Sequence, residues 1–352
     1  RSFFAAASWL LAAALAPASE IVTRTVSVEI LPDGATRTRT HIEVLLSSAR
    51  DVAAWSPYPI RLDENREIED LTGSITFPDG KTRRLKRADL DTVGQVSESV
   101  VASSSAYRLI RFPDAPAGSR LTLDFTVAAR PFYPAESVPL QSPLAPTTSL
   151  TVTVRGGGAG FRHQLAGSSG ALTVTPVEGG VTVTGTNLPA LENPSEGPAL
   201  RCAGLRLSFG WGREASWEDV ARWWGGLSPG FGAPAAVVDA AARELRLPGR
   251  PALEAVDAVL AYVRAHVRYV AVELGIGGWR PVEPETTLER GWGDCKALAV
   301  LAATLLRRAG IEAEAAAVAV GEGTIVDPAF PTIAAFDHVV VAVPARAAEG
   351  RG

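Results

Sequence analysis

Hydrophobic and polar residues alternate in short segments over residues 20–198, and turn-forming residues separate the segments. The run IVTRTVSVEILPDG ends in a Pro-Asp-Gly turn, and TRTRTHIEVLL resumes the alternation after it. A period of two is typical of strands with one buried face, so the pair predicts a β-hairpin. Further runs of the same kind are GSITFPDGKTRRL, SRLTLDFTVAARPF, SLTVTVRGG and ALTVTPVEGGVTVTGTNLP. We therefore predict an all-β, sandwich-like antiparallel domain for residues 20–198.

The hydrophobic period lengthens to that of a helix after residue 234. AAVVDAAARELRL and ALEAVDAVLAYVRAHVRYV carry apolar residues at i, i+3 and i+4, and Pro251 precedes the second run. A Gly-rich loop follows, and then an apolar helical run that ends at Gly310. IEAEAAAVAV and DHVVVAVP are predicted strands. Residues 235–352 are thus predicted to form an α+β domain.

Residues 199–234 are predicted to connect the two domains. Gly, Pro and Ser are concentrated at 189–198 and at 225–234, as is typical of linkers. Between them SWEDVARWWGGL predicts a short helix with Ser216 as its N-cap and acidic residues in its first turn.

The first residues predict a secretory signal. Arg1 would close a positive n-region, residues 3–15 are apolar, and Ala-Pro-Ala at 16–18 is typical of a cleavage site. We interpret residues 1–18 as a partial signal peptide; an uncleaved anchor is the alternative, although the run is short for a membrane span. The sequence contains no Met, so we expect it to be a fragment at its front. Export to a periplasm or a cell surface is the expected localisation.

Composition narrows the possible partners. The 352 residues are 47% hydrophobic and 20% charged, with a net charge of −4, which gives no reason to expect nucleic acid as a partner. There is no C-x-x-C motif, no His-rich cluster and no loop with EF-hand spacing, so neither a metal site nor a cofactor is predicted. The two cysteines, Cys202 and Cys295, could form a disulfide in an oxidising compartment.

Cys295 stands at the start of the predicted helix in GWGDCKALAVLAATLLRRAG. The unpaired N–H groups and the dipole of a first helical turn favour a thiolate, which a cysteine nucleophile needs. A buried filler, half of a disulfide and a metal ligand are the alternatives.

Four histidines could serve such a nucleophile. His41 and His163 belong to the β region, where a solvent-facing role is expected. His266 falls inside a predicted helix, where packing or solvent exposure is expected. His338 opens the strand HVVVAVP, 43 residues after Cys295, and this junction of loop and strand makes it the candidate base.

Several longer stretches together form a recognisable pattern. In the first half these are YPIRLDENREIEDLTGSITFPDGKTRRL, AYRLIRFPDAPAGSRLTLDFTV, NLPALENPSEGPAL and SWEDVARWW. In the second half they are VRYVAVELGIGGWRPVEPETTLERGWGDCKALAVLAATLLRRAGIEAEAA and FDHVVVAVP. By these stretches the chain after residue 18 resembles a bacterial family in which a DUF3857 domain precedes a transglutaminase-like domain.

The resemblance implies a papain-like core in which Cys295 is the nucleophile and His338 the base. Cys295 would attack a carboxamide or peptide carbonyl, and an amine or water would resolve the thioester. The backbone N–H of Cys295 would form part of an oxyanion hole. Trp279 and Trp292 are candidates to line the acyl pocket, with core packing as the alternative for both.

The family's third catalytic residue is an Asp on the strand after the histidine, in a WLDPT-like segment. Residues 339–352 contain no such segment. Asp327 precedes His338, and Asp337 adjoins it and is expected to point to the opposite face of the strand. We expect the natural chain to continue beyond residue 352 and to supply this Asp.

Two functions from different classes follow. The first is an exported cysteine-dependent hydrolase or acyltransferase with a protein or peptide substrate. The alternative is a non-catalytic module that binds cell-envelope components and uses the transglutaminase-like fold as a scaffold. The presence of both Cys295 and His338 favours the enzyme, because a scaffold needs neither.

Overall fold

The computed structural model describes residues 19–94, 100–167, 170–191, 204–213, 215–228, 236–320 and 326–344. The predicted signal segment 1–18, parts of the predicted connector, and Cys202 lie outside the described residues. Among the helices of the described ranges, none is long and apolar enough to cross a membrane.

In the described ranges, the N-terminal region is built from strands, with one α-helix and two short 3-10 helices. Its strands are β1 (Glu20–Ile30), β2 (Thr36–Leu45), β3 (Tyr58–Leu62), β4 (Arg66–Thr76), β5 (Thr82–Arg84), β6 (Leu90–Gly94), β7 (Val100–Ser103), β8 (Ala106–Ile110), β9 (Arg120–Ala129), β10 (Ala135–Pro139), β11 (Thr147–Arg155), β12 (Arg162–Ala166), β13 (Leu172–Val177), β14 (Gly180–Leu188) and β15 (Arg206–Gly210). The α-helix is α1 (Ala49–Trp55).

The largest sheet has eight strands in the order β13-β14-β11-β1-β2-β9-β4-β5. β1 and β2 form the predicted antiparallel hairpin, in which Ile30 lies opposite Thr36. β1 and β11 pair in parallel, which departs from the predicted antiparallel sheet. A parallel pair needs a long crossover, and here β2 to β10 lie between its two strands. The prediction of a sheet-rich N-terminal region is confirmed.

The alternating pattern places one face of the large sheet in a core. Val152 of β11 and Val183 of β14 are fully buried, and they share a hydrophobic cluster with Leu207 and Phe209 of β15. β15 is the middle strand of a smaller sheet, β10-β15-β12. This cluster therefore lies between two sheets, as expected for a sandwich-like region.

The second region contains most of the described helices. Its helices are α2 (Trp217–Leu227), α3 (Ala236–Glu244), α4 (Ala252–His266), α5 (Pro284–Arg290) and α6 (Cys295–Arg308). Its strands are β16 (Arg268–Tyr269), β17 (Ala271–Glu273), β18 (Trp292–Gly293), β19 (Glu314–Val318) and β20 (His338–Ala342). The predicted N-cap is confirmed at Ser216, whose side chain accepts a hydrogen bond from the N–H of Asp219.

Helix α6 is the centre of the second region. Val300, Leu301 and Leu305 are fully buried, and the last two share a core with Val259 of α4 and Val238 of α3. β19 and β20 form the predicted strands and pair antiparallel. Burial on most sides of α6 fixes the position of its first residue, Cys295.

A hydrophobic cluster joins the two regions. Tyr133 and Ala135 of the N-terminal region are buried against Val220 of α2 and against Phe330 and Ile333. A second connection is β7, which pairs in parallel with β17. The two regions thus share both a core and a short sheet close to the start of α6.

Candidate active site

Cys295 is the first residue of α6, as the sequence predicts. Asp294 is the N-cap, and its Oδ1 accepts the N–H of Ala297 at 3.1 Å. Gly291 has φ +69, which ends α5, and a Cβ on Gly293 would lie 2.8 Å from the Cβ of Ala297. The glycines of this turn therefore let the chain enter α6 directly. The thiol of Cys295 is free.

His338 is the first residue of β20 and lies opposite Val318 of β19. It lines a cavity of about 440 Å³ that Cys295 also lines. The next residue, Val339, also lines this cavity, and its backbone N–H lowers the pKa of the Cys295 thiol. The strand that carries His338 therefore lies beside the candidate nucleophile.

The two candidate pocket tryptophans are separated by the structure. Trp279 lines the cavity of Cys295 and also packs edge-on against Trp223. Trp292 does not line that cavity. The guanidinium of Arg290 lies 3.7 Å from the centre of its ring, and Trp292 belongs to a different cavity. Trp292 therefore lies outside the cavity of Cys295, with its ring against Arg290.

The electrostatic environment of Cys295 differs from the expected one. Burial raises the pKa of its thiol, the charge of Lys296 lowers it, and the charge of Asp294 raises it again. Lys296 and Asp294 form a buried ion pair, so much of the positive charge of Lys296 is compensated. The sequence predicts a lowered pKa from the helix terminus alone, but desolvation of the thiol acts in the opposite direction.

Sequence reasoning missed Tyr269, which follows α4 in the VRYV stretch. Tyr269 is half exposed, and its hydroxyl lies on the side of the chain where Cys295 begins α6. Partial burial, and then the charges of Cys295 and Asp294, raise the pKa of Tyr269 to about 12. Its pairing in β16 with Gly293 of β18 explains this proximity.

The two aspartates near His338 have other partners. Asp337 Oδ1 accepts the N–H of Val320 at 2.9 Å, and Asp327 Oδ1 accepts the N–H of Ala329 at 2.9 Å. Strand alternation predicts that Asp337 points to the opposite face, yet it lines the cavity of Cys295. Because Asp337 precedes β20, the alternation of a strand does not govern it. No Asp or Glu follows His338 among the described residues, which end at 344.

The N-terminal region supplies one wall of the cavity, which the sequence did not indicate. The polar residues of this wall are Arg61, Asp63, Glu64, Asn65, Ser104 and Ser105. No local motif marks them, because their position depends on the pairing of β7 with β17.

The other histidines lie elsewhere. His41 Nδ1 is 2.7 Å from Asp124 Oδ1, His163 stacks on Phe161, and His266 Nδ1 is 2.9 Å from the carbonyl oxygen of Tyr262. Throughout the described ranges, no group of three or more His, Cys, Asp or Glu side chains is placed to hold a metal ion.

Comparison with known proteins agrees with the fold of the second region. Residues 239–343 match the transglutaminase-like superfamily, so the chain contains a transglutaminase-like domain. No curated protein matches the chain.

A solved structure resembles the chain over a longer range. The crystal structure of a candidate protease from Parabacteroides distasonis is 18% identical and covers 92% of this chain with a TM-score of 0.71. This chain covers 64% of that protein, and the likeness shows a common fold. An M1 zinc metallopeptidase from Deinococcus radiodurans is 14% identical, and the match covers 55% of this chain and 42% of the metallopeptidase chain. Its TM-score is only 0.27.

Proposed function

We propose that this protein is an exported transglutaminase-like cysteine enzyme that transfers or hydrolyses acyl groups of carboxamides or peptides. One observation carries the proposal: Cys295 at the start of α6 and His338 at the start of β20 line the same cavity. A nucleophile and a base that line one cavity are the parts that thioester chemistry requires.

In the proposed reaction Cys295 attacks the carbonyl carbon while His338 takes the thiol proton. The S–C bond forms, the C–N bond breaks, and the proton passes from His338 to the departing amine. Water or a second amine then attacks the thioester and gives its proton to His338, the C–S bond breaks, and His338 returns this proton to the Cys295 sulfur.

The test uses a Cys202→Ser background, so that Cys295 is the only thiol. A mixed peptide library would be incubated with this protein, and intact mass spectrometry would look for an acyl adduct on Cys295. We expect turnover that Cys295→Ala abolishes and that His338→Ala reduces by at least about 10³-fold. Turnover that persists in Cys295→Ala would refute the proposed mechanism.

The second candidate is the non-catalytic envelope-binding module. The raised pKa of the Cys295 thiol favours it, because a resting thiol is a weaker nucleophile than a thiolate. In that case no adduct and no turnover would be found, whereas the protein would still be retained by isolated cell-envelope material.

Export rests on the pattern of residues 1–18. Expression of the chain with its natural start in a bacterial host, followed by N-terminal sequencing of the periplasmic fraction, tests it. We expect the mature protein to begin at Ser19.

A further inference from the structure

The turn between β3 and β4 brings the N-terminal region to the cavity of Cys295. Asp63 and Arg66 exchange backbone hydrogen bonds of 3.3 and 3.1 Å, and Asp63 Oδ1 accepts the N–H of Asn65 at 2.9 Å. The carbonyl oxygen of Asn65 accepts the N–H of Arg130 at 2.8 Å, which ties the turn to the end of β9. Glu64 therefore stands at the tip of a well-defined turn.

The Glu64 side chain lies against the Gly-rich turn Gly275–Gly278, which borders the cavity. Gly275 has φ +50, and a Cβ atom at this position would overlap the carboxylate of Glu64. The missing side chain of Gly275 thus makes room for Glu64 beside the cavity. In the part of the chain that the structure describes, the Glu64 carboxylate has no ion-pair partner.

The charges that line the cavity are unequal. Its carboxylates are those of Asp63, Glu64, Glu273 and Asp337, and its cations are Arg61 and Lys296. Lys296 is already paired with Asp294, so the carboxylates of Asp63, Glu64 and Glu273 outnumber the other cation, Arg61. A partly enclosed site with an excess of one sign of charge raises the local concentration of ligands with the opposite charge.

We propose that Glu64 is a specificity-determining residue that binds a primary ammonium group of the substrate. This inference rests on the function proposed for the cavity. The ammonium group can come from a basic peptide that donates the acyl group, or from an amine that accepts it. In both cases the N-terminal region selects the substrate while the transglutaminase-like domain carries the chemistry.

The first test measures the charge preference at Cys295 and needs no catalysis. Cationic trimethylammonium-ethyl and anionic sulfonatoethyl methanethiosulfonate would label Cys295 at low ionic strength in the Cys202→Ser background. Both reagents meet the same thiol, so the ratio of their rates cancels changes in its pKa. We expect Glu64→Gln to lower the ratio of cationic to anionic rates roughly fivefold. The matched control is Glu67→Gln, an exposed residue outside the cavity, which should leave the ratio unchanged.

The second test compares peptides that carry lysine with the same peptides carrying acetyl-lysine. We expect Glu64→Gln to reduce the preference in kcat/KM for lysine on the order of tenfold. The acceptor is tested with a primary diamine and a monoamine. If Glu64→Gln leaves the preference for lysine unchanged but removes a lower KM for the diamine than for the monoamine, the ammonium group belongs to the acceptor.

The two proposals fail in different, distinguishable ways. Turnover that depends on Cys295 but shows no change of preference in Glu64→Gln overturns this inference and leaves the proposed function intact. The absence of turnover overturns the proposed function, and the labelling ratio still decides the role of Glu64: an equal ratio in wild type and Glu64→Gln overturns it.

Discussion

Ser104 and Gly275 are 171 positions apart in the chain and are joined by a hydrogen bond. The N–H of Gly275 donates to the Oγ of Ser104 at 3.2 Å, and the N–H of Ser104 donates to the carbonyl oxygen of Glu273 at 3.1 Å. These bonds extend the pairing of β7 with β17. The N-terminal region therefore holds the backbone of the Gly-rich turn that leads to Trp279.

Replacement of Gly275 by alanine is expected to loosen this junction. The positive φ costs an L-residue about 1–2 kcal/mol, and the added methyl group would also displace the carboxylate of Glu64. Urea denaturation should show a loss of stability of at least that size. Gly277→Ala in the same turn is the matched control, because no atom lies within 4 Å of the place its methyl group would occupy and its φ is not positive. Equal losses in the two variants would contradict this account.

The pH dependence of Cys295 alkylation follows from the burial of its thiol. Because burial raises the pKa, the reactive thiolate accumulates only at higher pH than for a free cysteine, whose pKa is about 8.5. In a Cys202→Ser background the iodoacetamide rate should therefore rise with a midpoint above that of free cysteine. Asp294→Asn, which keeps an N-cap residue but removes a negative charge, should move the midpoint downward. A midpoint below that of free cysteine in the unmodified site would show a pre-formed thiolate instead.

Local patterns predicted the elements of the fold better than their assembly. The alternation around residues 20–45 indicated the β1–β2 hairpin, and the first-turn position of Cys295 followed from Gly293, Asp294 and the apolar run after them. The parallel pairing of β1 with β11 could not be predicted, because residues far apart in sequence leave no local period.

The candidate site shows the same division. Cys295 and His338 were recognisable because each stands at the start of a regular element. Glu64 and Tyr269 were not, because the turn that carries Glu64 reaches the cavity, and the two-residue strand that carries Tyr269 reaches the start of α6, only through tertiary pairing. The direction of the thiol pKa also depends on burial, which the residues around Cys295 in sequence do not reveal.

The buried pair of Asp294 and Lys296 predicts a strong dependence on both partners. Their side chains are 11% and 5% exposed. Lys296→Gln would leave the carboxylate of Asp294 buried without its cation, so we expect a loss of about 3–5 kcal/mol in the free energy of unfolding. The double variant Asp294→Asn with Lys296→Gln removes both charges and should recover much of that loss. Chemical denaturation of the three proteins measures it, and a double variant that is no more stable than Lys296→Gln would argue against the pair.

Glu136 predicts a pH-dependent stability at the junction between the regions. It lines a cavity that Trp279 and Ile333 also line, and it contacts Arg66 at 3.0 Å and Thr36 at 3.2 Å. Burial raises the pKa of Glu136 above its ordinary value of 4.5, although the charge of Arg66 opposes this. The folded state therefore binds more protons than the unfolded state between the ordinary and the raised pKa.

The contribution of Glu136 to stability is fully present below pH 4.5 and is lost as the pH rises through the raised pKa of the folded state. Glu136→Gln cannot titrate, so its free energy of unfolding should fall less between pH 4.5 and 7 than that of the wild type. Urea denaturation across this range measures the difference, with Glu67→Gln as a control for an exposed carboxylate. If both variants follow the wild-type pH profile, Glu136 does not titrate with a raised pKa, and its charge is then balanced by Arg66.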